Sequence, residues 1–234
     1  MTDPLDTDEA RVRAGELRSF GRRRARTPGP RQARLFRDVL PQFALPILQP
    51  FEAAFPTQPA RLWLEIGFGG AEHLLWQAEH HRDVALIGCE PFEDGVIKAL
   101  SGIEERALTN IRLHPDDARP LLRWLPDASL ERVFVLFPDP WPKKKHIKRR
   151  LVGTPLLDML ARVMKPGAEL RIGTDIGDYA RTILLAVTPH EAFEWPATGP
   201  GDWRIRGDDW PQTRYEAKAV REGRPRYYFR FRRR

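Results

Sequence analysis

The chain has 234 residues, 41% of them hydrophobic and 30% charged, and a net charge of +7. That apolar share is enough for a buried core and excludes a wholly disordered chain. A lone cysteine, Cys89 in VALIGCE, excludes an internal disulfide and a cysteine-rich zinc centre, and it suits a reducing cytoplasm.

No run approaches the roughly 18 apolar residues of a membrane-spanning helix. The acidic opening MTDPLDTDEA lacks the apolar region of a signal peptide. Positive charge is concentrated in three places: residues 11–37 carry ten arginines against Glu16 alone, residues 143–150 net +6, and residues 221–234 net +6. The rest of the chain is acidic. One basic run is usually a solvated face. Three of them favour a polyanionic partner, because clustered cations release counterions from phosphates.

In chain order, residues 1–34 are polar, arginine-rich and broken by TPGP, which predicts a basic flexible arm ahead of a single domain at 35–234. Residues 35–55 place apolar side chains between Pro41, Pro46 and Pro50, as expected of short helical turns on a domain edge. A regular alternation then begins. Apolar runs at 61–67, 84–90, 110–115, 131–138 and 168–175 read as strands. Helical spacing at 70–81, 93–108, 117–125, 154–164 and 178–187 separates and follows them. The aromatic alternation in RPRYYFRFRRR suggests an antiparallel last strand. The pattern predicts an α/β fold with a mostly parallel sheet and helices on both faces.

Ligands of such sheets bind at the carboxyl ends of the strands. There the chain places Glu65, Glu90, Asp116 and Asp117, Asp139 and Asp175, a carboxylate after each of five strands. Gly67, Gly69 and Gly70 in LEIGFGGAEH allow a tight turn and close ligand approach. Glu72 stands where a dinucleotide fingerprint needs its third glycine, and with Glu65 it disfavours a pyrophosphate. A cationic sulfonium with an amino-acid tail suits the loop better than NAD does. Each acid also precedes a helix, so an N-cap is the bland alternative.

The E-x-G-x-G at 65–69 resembles the first motif of class I S-adenosylmethionine-dependent methyltransferases. FPDPWPKKKHIKRRL (137–151) is similar to the signature of the tRNA (guanine-N7)-methyltransferases; TRYE (213–216) and GTDIGDYA (173–180) match further family motifs. The resemblance runs from about Leu62 to Gly223. It departs at Ala71, where the family pattern has glycine.

The resemblance implies a Rossmann-like class I fold with a seven-stranded sheet. It also implies S-adenosyl-L-methionine as cofactor, and transfer to N7 of the variable-loop guanine 46 of tRNA in the cytoplasm. Metal, membrane and an obligatory protein partner are not expected. Cofactor contacts would come from Glu65, Gly67, Gly69, Glu90, Asp117 and Asp139, with Asp139 also the catalytic residue. Contacts to tRNA would come from Lys143, Asp175, Thr213, Arg214, Tyr215 and Glu216. Lys144, Lys145, Lys148, Arg149 and Arg150 would track the phosphate backbone.

Guanine N7 carries a lone pair and no proton, so Asp139 need not act as a base; it orients the reactants and favours charge building on the purine. Pro138 and Pro140 are expected to hold Phe137 and Asp139 extended. Trp141 is expected to pack beneath the loop rather than stack on a base, and His146 to be a surface contact. The rival readings are a methyltransferase acting on another substrate, a non-catalytic RNA-binding protein on the same scaffold, and an NAD-dependent oxidoreductase.

Overall fold

The computed structural model describes residues 29–55 and 59–234. The predicted arm therefore lies mostly outside the described residues. The strands are β1 (Leu62–Ile66), β2 (Ala85–Cys89), β3 (Ile111–His114), β4 (Leu130–Leu136), β5 (Met164–Thr174), β6 (Phe193–Glu194) and β7 (Tyr227–Arg233). They form one sheet in the order β3-β2-β1-β4-β5-β7-β6. β1 to β5 pair in parallel, and β7 is antiparallel to both β5 and β6. This is the class I methyltransferase arrangement that the resemblance implied.

Alternation along the strands builds a core on each face, because successive side chains of a strand point to opposite sides. From β1, Leu62, Leu64 and Ile66 enter one core with Val133 and Val135 of β4. Trp63 enters the other with Phe134 and Leu136. Helices cover both faces. They are α1 (Pro30–Arg34), α2 (Leu40–Phe43), α3 (Phe51–Ala54), α4 (Glu72–His80), α5 (Glu93–Arg106), α6 (Ala118–Trp124), α7 (Thr154–Val163), α8 (Gly177–Val187), α9 (Gly201–Arg204) and α10 (Arg214–Arg221). Among the described residues no helix is long and apolar enough to cross a membrane.

Several elements differ from expectation. The last residues of the predicted arm are the helix α1, docked on α5: the Arg34 guanidinium donates to both Glu104 oxygens at 3.1 and 2.6 Å. β5 starts at Met164 rather than 168. It runs through Pro166 and Gly167 (φ 81°), and its register against β4 shifts between Leu130 and Arg132. β6 is two residues long, too short for a periodic signature, whereas α10 is a short amphipathic helix, read from sequence only as the motif TRYE.

Candidate active site

β1 and β4 lie side by side while their connections leave in opposite directions, and a cavity of about 350 Å³ opens beyond the carboxyl ends of these strands and β2. Its floor is the glycine loop. Gly67 (φ 75°) and Gly69 (φ 54°) hold left-handed backbone that glycine adopts without strain. A Cβ on Gly67 would meet nothing within 4 Å, so this face of the loop is open; one on Gly69 would stand 2.9 Å from the Tyr215 ring. Ala71, the departure from the family pattern, also has positive φ (65°) and is fully buried, so its methyl carries a backbone strain that glycine would not.

Glu90, Asp117 and Asp139 all line the cavity. Glu90 is buried, and its two oxygens accept from the backbone N–H groups of Gly69 (2.8 Å) and Phe92 (2.9 Å). Burial nonetheless raises its pKa, with the nearby Asp139 and Glu65 charges adding to the effect against those hydrogen bonds. Asp117 is the N-cap of α6, accepting from Arg119 N at 2.8 Å and from Arg119 Nη1 at 2.6 Å. The bland N-cap reading and the cavity position both hold for this residue. Asp139 has no hydrogen-bond or ion-pair partner among the described residues, and desolvation by the cavity walls raises its carboxyl pKa.

Of the two residues after β4 expected to be extended, Phe137 is not. Phe137 N still donates to Gly173 O (2.8 Å), but Phe137 then takes φ 51° and Trp141 φ 40°. With these two left-handed residues in the loop, Trp141 stands at the cavity wall. Arg149 lies over its ring at 5.0 Å and His146 meets it edge-on at 5.8 Å.

Other expected site residues are not in the cavity wall. Glu65 is 3% exposed and bonded to His73 Nδ1 at 2.8 Å. Asp175 is paired with Arg224 Nε at 2.8 Å. Thr213 caps α10, accepting from Glu216 N, while Glu216 is buried and accepts from the Tyr228 hydroxyl at 2.6 Å. Tyr215 and Arg214 do line the cavity, lying over Gly69 and Gly70. Arg214 Nε pairs with Glu72 Oε1 at 2.5 Å. The Glu72 charge is thus already neutralised, which weakens the electrostatic objection to an anionic ligand made from sequence. Lys98 and Arg119 also reach the cavity; the isolated cation on a helix carries no motif that would have revealed either.

The basic run forms a 3₁₀ turn over Lys144–Arg149. Lys143, Lys144, Lys145 and Lys148 are exposed and have no ion pair among the described residues. Arg150 corrects the expectation of a continuous phosphate track. It is buried, donating to Pro140 O (2.9 Å) and to Asp178 Oδ2 on α8, with its guanidinium 4.8 Å from the Tyr179 ring centroid. Among the described residues no group of three His, Cys, Asp or Glu side chains could hold a metal ion.

A family model described as "Putative methyltransferase" (Methyltransf_4) matches residues 59–229. The chain is 48% identical over 227 residues to the tRNA (guanine-N(7)-)-methyltransferase of Rhodospirillum rubrum, covering 94% of this chain and 89% of that one. It belongs to the tRNA (guanine-N(7)-)-methyltransferase family. The family's protein from Hyphomonas neptunium is 49% identical over 215 residues, covering 91% of this chain and 98% of the relative. Among solved structures, an rRNA methylase from Streptococcus thermophilus superposes with a TM-score of 0.49 at 11% identity, over 75% of this chain and 88% of that one.

Proposed function

We propose that the chain transfers the methyl group of S-adenosyl-L-methionine to N7 of a guanine in tRNA, the variable-loop guanine 46, in the cytoplasm. One observation carries the reading: a desolvated carboxylate without a partner among the described residues (Asp139) stands at the cavity wall, and an exposed lysine turn follows it within a few residues. The residues fit the cofactor. The loop is open above Gly67, and three carboxylates face the space in which a cation and two hydroxyls would lie. Bound there, the cofactor supplies an electrophilic methyl on a sulfonium.

The chain's own groups then have separable tasks. Glu90 keeps acceptor capacity on both oxygens beyond the backbone bonds it already makes, enough for two vicinal hydroxyls. Asp117, held by Arg119 and the start of α6, accepts from an amino group without moving. Asp139 takes no proton from N7, which has none to give. Its carboxylate accepts from donor edges and stabilises the positive charge that grows on the purine, in a desolvated wall where such a charge acts strongly. Trp141, backed by Arg149, offers a ring for the displaced base to stack on. Lys143, Lys144, Lys145 and Lys148 hold phosphates, and this positions without reading sequence. Residues 213–216 contribute chiefly through Arg214 and Tyr215, since Thr213 and Glu216 are engaged inside the protein.

The decisive experiment incubates the protein with labelled S-adenosylmethionine and unmodified tRNA, then maps N7-methylguanosine by borohydride and aniline cleavage. Cleavage at the variable-loop guanine is the expected result. No incorporation into any tRNA carrying that guanine would remove the proposal.

A further inference from the structure

On the Phe134 face of the sheet, behind the glycine loop, a line of buried polar groups runs from Glu65 through His73 and Gln77, and neither His73 nor Gln77 has a task in the methyl transfer described above. Glu65 Oε2 lies 2.8 Å from His73 Nδ1. His73 Nε2 lies 3.1 Å from Gln77 Nε2, which lies 2.7 Å from the carbonyl oxygen of Asp209. All three side chains are 3% exposed or less.

The direction of each bond follows from chemistry. A carbonyl only accepts, so the Gln77 atom facing Asp209 is the amide nitrogen. Its other hydrogen reaches His73 Nε2, which is therefore the accepting ring nitrogen. The ring proton is left on Nδ1 and donates to the Glu65 carboxylate. The orientation has a visible cost, because Gln77 Oε1 is buried with no hydrogen-bond partner among the described residues. Buried side-chain oxygens are ordinarily satisfied. Turning the amide over would set two carbonyl oxygens against each other at Asp209 and undo the order of donors.

The far end of the line is a plug of ion pairs. The Asp209 carboxylate receives Arg171 Nη2 at 2.6 Å, with Arg132 and Arg230 each 3.5 Å away. The next residue, Trp210, is buried edge-on to Tyr228, whose hydroxyl donates to Glu216. The plug leads directly into residues 213–216, and Arg214 is fastened to α4 a second time through Glu72. The glycine-loop helix and the tRNA-side segment are thus joined at two points.

We propose that His73 and Gln77 are positioning residues. They hold the buried Glu65 carboxylate behind the glycine loop, where its charge acts on the cavity residue Glu90, and tie it to the backbone that carries residues 213–216, so that cofactor and tRNA bind with positive coupling. The proposal rests on the methyltransferase reading above. Linkage makes the effect reciprocal: whatever factor the cofactor adds to tRNA affinity, tRNA adds to cofactor affinity.

The test uses the full chain, S-adenosylhomocysteine and an unmodified tRNA transcript. Calorimetry gives the Kd for S-adenosylhomocysteine, and filter binding gives the Kd for tRNA with and without it. Wild type should bind tRNA about fivefold or more tighter when the cofactor product is present. Gln77→Met keeps volume and helix propensity but removes both donors, and should bring that ratio to within twofold of one. Gln77→Asn, too short to bridge His73 and Asp209, carries the same expectation if the Met variant does not fold. His73→Leu should weaken S-adenosylhomocysteine about tenfold or more, whereas His73→Asn, whose amide can donate in place of Nδ1–H, should recover most of the loss.

A purely structural role predicts lowered melting temperatures with the ratio intact. The proposal is overturned if wild type shows no coupling, if Gln77→Met keeps the wild-type ratio, or if the Leu and Asn variants bind S-adenosylhomocysteine alike. A chain that neither binds S-adenosylhomocysteine nor methylates tRNA would remove the methyltransferase reading itself, a different result from bound but uncoupled ligands.

Discussion

Two basic stretches with five cations each have opposite fates in this molecule. In residues 143–149 the lysines stand exposed and without ion pairs among the described residues, beside a carboxylate, Asp139, that is also unpaired. In residues 224–233 most arginines face partners within the protein. Arg224 pairs with Asp175, Arg230 lies near Asp209, Arg232 pairs with Glu194, and Arg233 donates to Ala161 O. Clustered cations alone therefore do not mark a phosphate-binding surface. What marks it is charge left uncompensated, since paired arginines have little left to offer a polyanion. The third basic run counted from sequence is mainly part of the scaffold.

The contrast can be broken most severely at Asp139. Asp139→Asn should lower turnover at least about 100-fold in single-turnover assays while tRNA affinity stays within about twofold of wild type. The same variant bears on pH. Desolvation raises the Asp139 pKa, so below the ordinary carboxyl range the group does not oppose folding, and its favourable contribution is lost as pH rises through the raised value. The stability difference between Asp139→Asn and wild type, both without ligand, should therefore shift in favour of the variant as pH rises from about 4 toward neutrality. Thermal melts across pH would read it, and a shift of opposite sign would show the carboxylate to be compensated.

Replacing Lys144, Lys145, Lys148 and Arg149 together with glutamine should weaken tRNA binding at least about tenfold and flatten the log–log salt slope by roughly one for each phosphate no longer neutralised. An unchanged slope would return the turn to an ordinary solvated face. Next to it, Arg150→Gln should do the reverse. It should leave the slope alone and cost about 2–3 kcal/mol of stability, since it removes charge-assisted hydrogen bonds and the packing of a buried guanidinium. The smallest effect is expected at Arg232→Gln, whose partner pair lies on the surface: less than about 1 kcal/mol in a denaturant melt, with tRNA binding unaltered.

Much of the fold was legible because strands buried on both faces read as apolar runs, and amphipathic helices separate them with a different period. Glu90, Asp117 and Asp139 were legible as site candidates because each follows such a strand. Other features had no local signature. Arg149 and Arg150 are neighbours in one basic run, yet one lies over Trp141 at the cavity and the other is buried against α8; the deciding groups, Asp178 and Thr182, come 28 and 32 residues later than Arg150. Phe137 and Trp141 escaped because proline restricts its neighbour without excluding the left-handed backbone that the loop adopts.

By itself, then, the sequence determined the order of elements, the glycine turn after β1 and the set of acids carried to one edge of the sheet. These follow from periodicity and backbone sterics, which act over a few residues. Tertiary structure alone decided which charges are compensated. Glu72 meets Arg214 from 142 positions away, Gln77 meets the Asp209 carbonyl from 132, and Asp175 meets Arg224 from 49. Hydrogen bonds and ion pairs depend on distance through space, and a folded chain sets that distance without regard to separation along the sequence.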